Sequence, residues 1–296
     1  MERRHLPHVT GDLRSHIVTV PEEIWKCSGI VILGRRIKSL VFTTDIAIIR
    51  NCNADAVLAV YPFTPQQVIS NSIIQASNIP VLCGVGGGMT GGDRTVRLSK
   101  DAEAQGASGV VVNAPMTNDV IEKMAKVIDI PIIATVLSEK ADIQARLDAG
   151  VSILNVSAAA RTPEVVSAIR EKFPKVPIIA TGGPTGESIA RTIGAGANSI
   201  SYTPPSTKEL FSRTMEDYRS RELYTKKEPF GSFYFALNTH TVMNGATRMA
   251  ARPMSCSCFT RIAAASGRPF SRSSGIIKNS PCFRVISSIS QLPVGL

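Results

Sequence analysis

From residue 37 onward, short apolar, β-branched runs alternate with longer polar segments of helical period. The runs occupy 37–45, 54–63, 79–88, 108–115, 130–138, 151–158, 176–183 and 197–204. They are apolar almost throughout rather than at every second position, which is how a strand reads when both of its faces are covered in a parallel sheet. Between them the pattern predicts helices over 64–77, 93–105, 117–127, 139–149, 162–173, 185–195 and 207–223. A two-unit repeat is superimposed on this alternation. Every second strand opens with Ile79-Pro80, Ile130-Pro131 or Val176-Pro177, spaced 51 and 46 residues apart. The strands between them follow helices that end in Gly106-Ala107, Ala149-Gly150 or Ala195-Gly196. Proline is tolerated at a strand's first residue because that N–H lies outside the ladder.

Eight strand–helix units with right-handed crossovers close on themselves. The expected class is therefore α/β, a (β/α)8 TIM barrel over residues 37–223. An open doubly wound sheet would want a G-x-G-x-x-G turn after its first strand, and none follows residue 45. Residues 1–36 form an N-terminal extension. In it, 16–20 (HIVTV) and 21–27 are expected to make a strand and a short helix that plug the bottom of the barrel. Periodicity stops in the segment 224–296. Ordering about 70 residues costs on the order of 100 kcal/mol, and no amphipathic pattern there offsets it, so a poorly ordered, basic, Ser/Arg-rich tail is expected.

Charge follows the same boundary. The chain carries a formal +10, yet residues 1–223 hold 24 basic and 22 acidic side chains, against nine and one in 224–296. Basicity belongs to the tail, so nucleic-acid binding is not expected of the barrel. With 44% hydrophobic residues, 296 residues bury a core without disulfide or metal staples. No apolar run approaches the roughly 20 residues that span a bilayer. The charged start MERRHLPHVTGDLRSH lacks an apolar signal core, and six irregularly spaced cysteines suit a reducing compartment. The cytoplasm is the expected location, with no membrane partner. The sequence is compatible with a homo-oligomer.

In such a barrel the active face lies at the C-terminal ends of the strands. All four histidines (His5, His8, His16, His240) fall outside the eight units, which removes imidazole bases and His-ligated metals; no metal or cofactor is expected. Lys140 is the one lysine placed for Schiff-base chemistry. Carboxylates remain. Asp45 ends the first strand and Glu139 follows the fifth, across the ring from each other, so they are the candidate acid and base; helix capping for Asp45 and a helix-dipole position for Glu139 are the alternatives. Asn113 and Asn155 complete the catalytic set, and Tyr61 is a candidate substrate contact. Gly87 and Gly88 open a glycine-rich stretch that carries Arg94 as a lid towards an anion, or else forms a plain surface loop.

The clearest ligand signal is Ala180-Thr181-Gly182-Gly183 followed by Pro184-Thr185-Gly186-Glu187 at a helix start. Glycines let backbone N–H groups approach an anion, and the helix start adds free donors and a favourable dipole. In these residues the sequence resembles the ribulose-phosphate-binding barrel superfamily over 37–223. The resemblance implies a phosphate held after the seventh and eighth strands and carries over to Gly182 and Gly183; Thr181, Gly186 and Thr203 are further candidate phosphate or substrate contacts. It departs at Thr203-Pro204-Pro205-Ser206, where two prolines remove two donors. A tight turn without a ligand is the other reading of Gly182-Gly183. The expectation is a metal-independent isomerase or lyase acting on a small phosphorylated metabolite through carboxylate acid/base chemistry. A hydrolase on the same face, or a non-catalytic phosphometabolite-binding barrel, is the alternative.

Overall fold

The computed structural model describes residues 7, 9, 11 and 17–225, with side chains up to 221; nearly all of the expected tail, 224–296, lies outside the described residues. After a short 3-10 helix, Glu22–Lys26, the chain forms an antiparallel hairpin of β1 (Ile30–Ile32) and β2 (Arg35–Ile37). The eight units follow: β3 (Ser39–Phe42), α1 (Ile46–Arg50), β4 (Ala56–Ala59), α2 (Gln67–Ala76), β5 (Val81–Gly86), α3 (Gly92–Ala104), β6 (Gly109–Val112) and α4 (Asn118–Ala125). Then come β7 (Ile132–Val136), α5 (Ile143–Asp148), β8 (Ile153–Val156), α6 (Thr162–Lys172), β9 (Ile178–Thr181), α7 (Gly186–Gly194), β10 (Ser199–Tyr202) and α8 (Thr207–Thr225). Strands β3 to β10 pair in parallel in chain order, and β10 returns to β3 to close the barrel. Each apolar run contains one barrel strand, and each predicted helix is present.

The repeat has a structural cause at the starts of the strands. The carbonyls of Pro80, Pro131 and Pro177 accept from Val57, Val110 and Leu154 N–H of the preceding strand at 2.8–3.0 Å. Proline thus gives the ladder its acceptor and withholds only a donor the ladder does not use. Ahead of the alternate strands β6, β8 and β10, Gly106, Gly150 and Gly196 have φ of +96°, +108° and +108°. That left-handed residue lets the next N–H reach back five residues to Ala102, Arg146 and Thr192 carbonyls, closing each helix in the same way.

Two apolar layers result. Outside the barrel wall, Val57, Cys83, Val110, Leu154 and Ala180 pack against the helices. Inside, Leu40, Leu58, Leu82, Val111, Ile133, Ile153 and Ile179 fill the ring. Ile30, Ile32 and Ile37 of the hairpin join that inner cluster, and Ser199 Oγ donates to Ile37 O at 2.6 Å. The hairpin is therefore the plug. Residues 16–27, expected to do this, do something else: Val18 bridges Cys52 just after α1, and the 3-10 helix packs along α7. Ile24, fully buried, lies in the outer cluster with Val41 of β3 and Ile200 of β10. This segment covers the seam that the last helix of a barrel would otherwise cover. Helix α8 has no extended packing against another described element, and Phe211, Met215 and Tyr218 are exposed on it.

Candidate active site

Along each barrel strand the inward side chains turn polar toward the C-terminal end. Residues two apart share a face, so Thr135, Asn155, Thr181 and Ser201 stand above the inner apolar cluster. Thr135 and Asn155 are partners in register, and Asn155 Nδ2 donates to Thr135 Oγ1 at 3.3 Å. Thr181 Oγ1 donates to Ser157 Oγ at 3.3 Å. Asn155 is only 8% exposed, and its Oδ1 has no partner. A buried amide oxygen without a donor is costly, on the order of 1–3 kcal/mol, and a ligand or water hydrogen directed down the barrel axis would satisfy it.

Opposite β8 in the ring lies a cavity of about 230 Å³ over the ends of β4, β5 and β6. Tyr61, Phe63, Gly87, Gly88, Thr90 and Asn113 are among its lining residues. Tyr61 Oη accepts from Gln66 N–H at 2.8 Å, so its own hydrogen is free to donate. Gly87 N–H donates to Thr90 O at 2.8 Å and closes a tight turn. At Gly87 φ is +105°, and a Cβ there would stand 2.6 Å from Asn113 N; only glycine allows β5 and β6 to converge this closely. Among the lining residues there is no Asp, Glu, Lys, Arg or His.

The remaining candidates line no part of this cavity. Asp45 is the N-cap of α1. Its Oδ1 accepts from Ala47 N at 2.8 Å and Ile48 N at 3.3 Å, and its Oδ2 accepts from Thr207 Oγ1. The Thr207 hydroxyl, ahead of the two amides, holds the carboxyl below the ordinary aspartate range, against a smaller opposing effect of burial. Both oxygens are engaged, which is the capping arrangement. Glu139 Oε1 accepts from Arg161 at 2.8 Å, while its Oε2 is buried and unpartnered beside a groove between α5 and α6. Its own backbone N–H, then Arg161, lowers its pKa. Arg94 is exposed on the first turn of α3, and Thr203 is exposed beyond β10.

At the expected phosphate turn, Gly183 has φ +81° and is exposed, while Gly182 is pinned between Ile200 and Ile189, either of which a Cβ would meet at 2.8 Å or less. Thr185 caps α7 with Ser188 in a reciprocal capping box. Against Gly186 stands the Glu23 carboxylate, whose Cδ would lie 2.8 Å from an added Cβ. That negative charge opposes an anion at Gly186. The structure thus gathers Tyr61, Gly87, Gly88 and Asn113 at one cavity, and Asn155 and Thr181 on the wall across from it. Phe63, Met89 and Thr90 were not singled out from sequence. Their signal is a large apolar residue set directly after a strand end, in Pro62-Phe63 and Gly88-Met89.

Among the described residues, no group of three or more His, Cys, Asp or Glu could hold a metal ion, and no helix is long and apolar enough to cross a membrane. No protein-family model matches the chain, and no curated protein does. Solved structures do. A phosphonomutase described as putative, from Burkholderia cenocepacia J2315, is 16% identical, covering 64% of this chain and 93% of its own at a TM-score of 0.47. Phosphonopyruvate hydrolase in complex with oxalate and Mg++ is 14% identical over 65% and 94%, also at 0.47. 2,3-Dimethylmalate lyase, a PEP mutase/isocitrate lyase superfamily member, is 13% identical over 70% and 85%, at 0.48. These structures do not confirm the ribulose-phosphate-binding superfamily. At such identities the likeness extends to the barrel and no further.

Proposed function

We propose that the chain is an enzyme that acts at the C-terminal mouth of the barrel on a small phosphorylated or carboxylate-bearing metabolite, by isomerase- or lyase-type proton transfer. The observation that carries this reading is the convergence of Tyr61, Asn113 and the Gly87–Gly88 turn on one cavity. Tyr61, with its oxygen already accepting from Gln66, is positioned as a donor to a substrate carbonyl oxygen; such a donor stabilises the charge that develops there when a neighbouring proton leaves. The anionic end would rest at Thr181, Gly182 and Gly183 rather than at Gly186, where Glu23 repels it. Asp45 and Glu139 are the carboxylates offered as proton carriers, and Glu139 alone keeps an oxygen without a partner.

A second reading, a barrel that binds such a metabolite without converting it, is favoured by the uncharged cavity lining. One experiment separates the two. Thermal stabilisation is screened across sugar phosphates and small carboxylic acids, and each ligand that stabilises is assayed for turnover with the wild type and Tyr61→Phe. Ligand at a hundred times its Kd stabilises by about 2.7 kcal/mol. The enzyme reading expects turnover that falls at least tenfold in Tyr61→Phe, about 1.4 kcal/mol of transition-state stabilisation. Turnover indifferent to Tyr61→Phe rejects this placement of the donor, and stabilisation without turnover selects the second reading.

A further inference from the structure

The cavity beside Tyr61 carries no charge, and its lining mixes apolar side chains with the uncharged polar groups of Tyr61, Thr90 and Asn113. Val60, Pro62, Phe63, Pro65, Met89 and Val111 are its apolar lining residues. Phe63 is 75% exposed and Met89 is fully exposed. Two large apolar side chains left in water at one opening gain roughly 25 cal/mol for each Å² that a ligand covers. A charged group entering the same space would lose its hydration and meet no counter-charge. Size is the third constraint. The volume of about 230 Å³ exceeds the ~150 Å³ of an apolar cavity that takes benzene.

We infer that this cavity is the subsite for an uncharged, ring-sized apolar moiety of the substrate, its acidic group remaining outside. The inference rests on the mouth being the substrate site and adds a chemical class: a small acid or phosphoester that carries an aliphatic or aromatic group of about six to eight non-hydrogen atoms, by comparison with benzene in the ~150 Å³ cavity. Gly84 and Gly87 keep the floor free of side chains, and the Gly87–Thr90 turn sets Met89 at the entrance.

The test uses the full chain and two probes of similar shape, benzyl alcohol and benzoate, titrated by ligand-detected NMR. They are titrated against the wild type and against the double variant Phe63→Ser/Met89→Ser. Both positions are exposed, and unchanged melting curves check that the variant is folded. Benzyl alcohol is expected to bind saturably, at least fivefold more tightly than benzoate, and at least fivefold more weakly in the double variant. Benzoate binding as tightly as benzyl alcohol, no loss in the double variant, or no saturable binding of benzyl alcohol would each overturn the inference. Failure of the enzyme reading is distinguishable: turnover indifferent to Tyr61→Phe leaves benzyl alcohol binding as it was. Conversely, turnover that depends on Tyr61, without benzyl alcohol binding, removes the subsite alone.

Discussion

Replacing Asp45 by alanine and, separately, by asparagine distinguishes a helix cap from a proton carrier. Alanine removes the acceptor for Ala47 and Ile48 N–H and for the Thr207 hydroxyl. Loss of an N-cap costs about 1 kcal/mol, and the half-exposed Thr207 contact adds about 0.5 kcal/mol. Together, about 1.5 kcal/mol lowers Tm by roughly 3–6 °C in a domain of this size. Asparagine caps nearly as well as aspartate, so Asp45→Asn should lose less than about 0.5 kcal/mol. The pH dependence has a definite sign. The folded carboxyl titrates below its ordinary value, so its stabilisation is complete above the unfolded aspartate pKa of about 3.9. It is lost as the pH falls through the lower, folded value. Urea unfolding at pH 7 should therefore separate wild type from Asp45→Ala, and at pH 3 the gap should narrow. Turnover of Asp45→Asn at pH 7 is the decisive assay. A variant as stable as the wild type but a hundredfold slower would refute a purely capping role and make Asp45 a proton carrier as well.

Arg170 donates to the carbonyls of Pro174, Val176 and Gly196 and to Asn198 Oδ1 at 2.7–2.9 Å. Arg170→Met should cost about 3 kcal/mol or more by leaving these acceptors unpaired, and a loss below about 1 kcal/mol in urea unfolding would contradict that. Burial pushes the Cys83 thiol up to about 12 and the Cys27 thiol to about 11. Since the thiolate is the reactive form, iodoacetamide at pH 8 should modify the half-buried Cys52 at least tenfold faster than either. Peptide mapping by mass spectrometry reads this directly, and rapid labelling of Cys83 would show that the barrel wall opens.

The barrel was legible because its repeat rests on local chemistry. Proline at a strand start and glycine after a helix each satisfy a backbone requirement that recurs three times in the same place. The hairpin was not legible. Its strands are three residues long, one of them opens with Arg35-Arg36, and its turn places Leu33 at φ +46° before Gly34 at +78°. That is a two-residue hairpin turn in which leucine stands where asparagine or aspartate would advertise it. Asp45 and Glu139 were correctly placed on opposite strands, since β3 and β7 are four apart in the ring. Sequence could not say where their side chains turn. Asp45 turns to α1 and Thr207, and Glu139 to Arg161. The cavity at Gly84–Gly88 depends on a register shift between Gly84 and Gly86, which reorients the strand end and which no pattern of period two reveals.

The seam between β10 and β3 joins residues far apart along the chain. Asn198 and Ser28 are separated by 170 positions, and Ser199 and Ile37 by 162. Contacts of such long range come late, after neighbouring units have already paired. Until Ser199 has been synthesised and has found Ile37, the half-made cylinder presents two raw edges, on β3 and on β9. Each is a template for strand addition from another nascent chain. Closure of this one seam is therefore what divides a finished ring from a sheet that can keep growing.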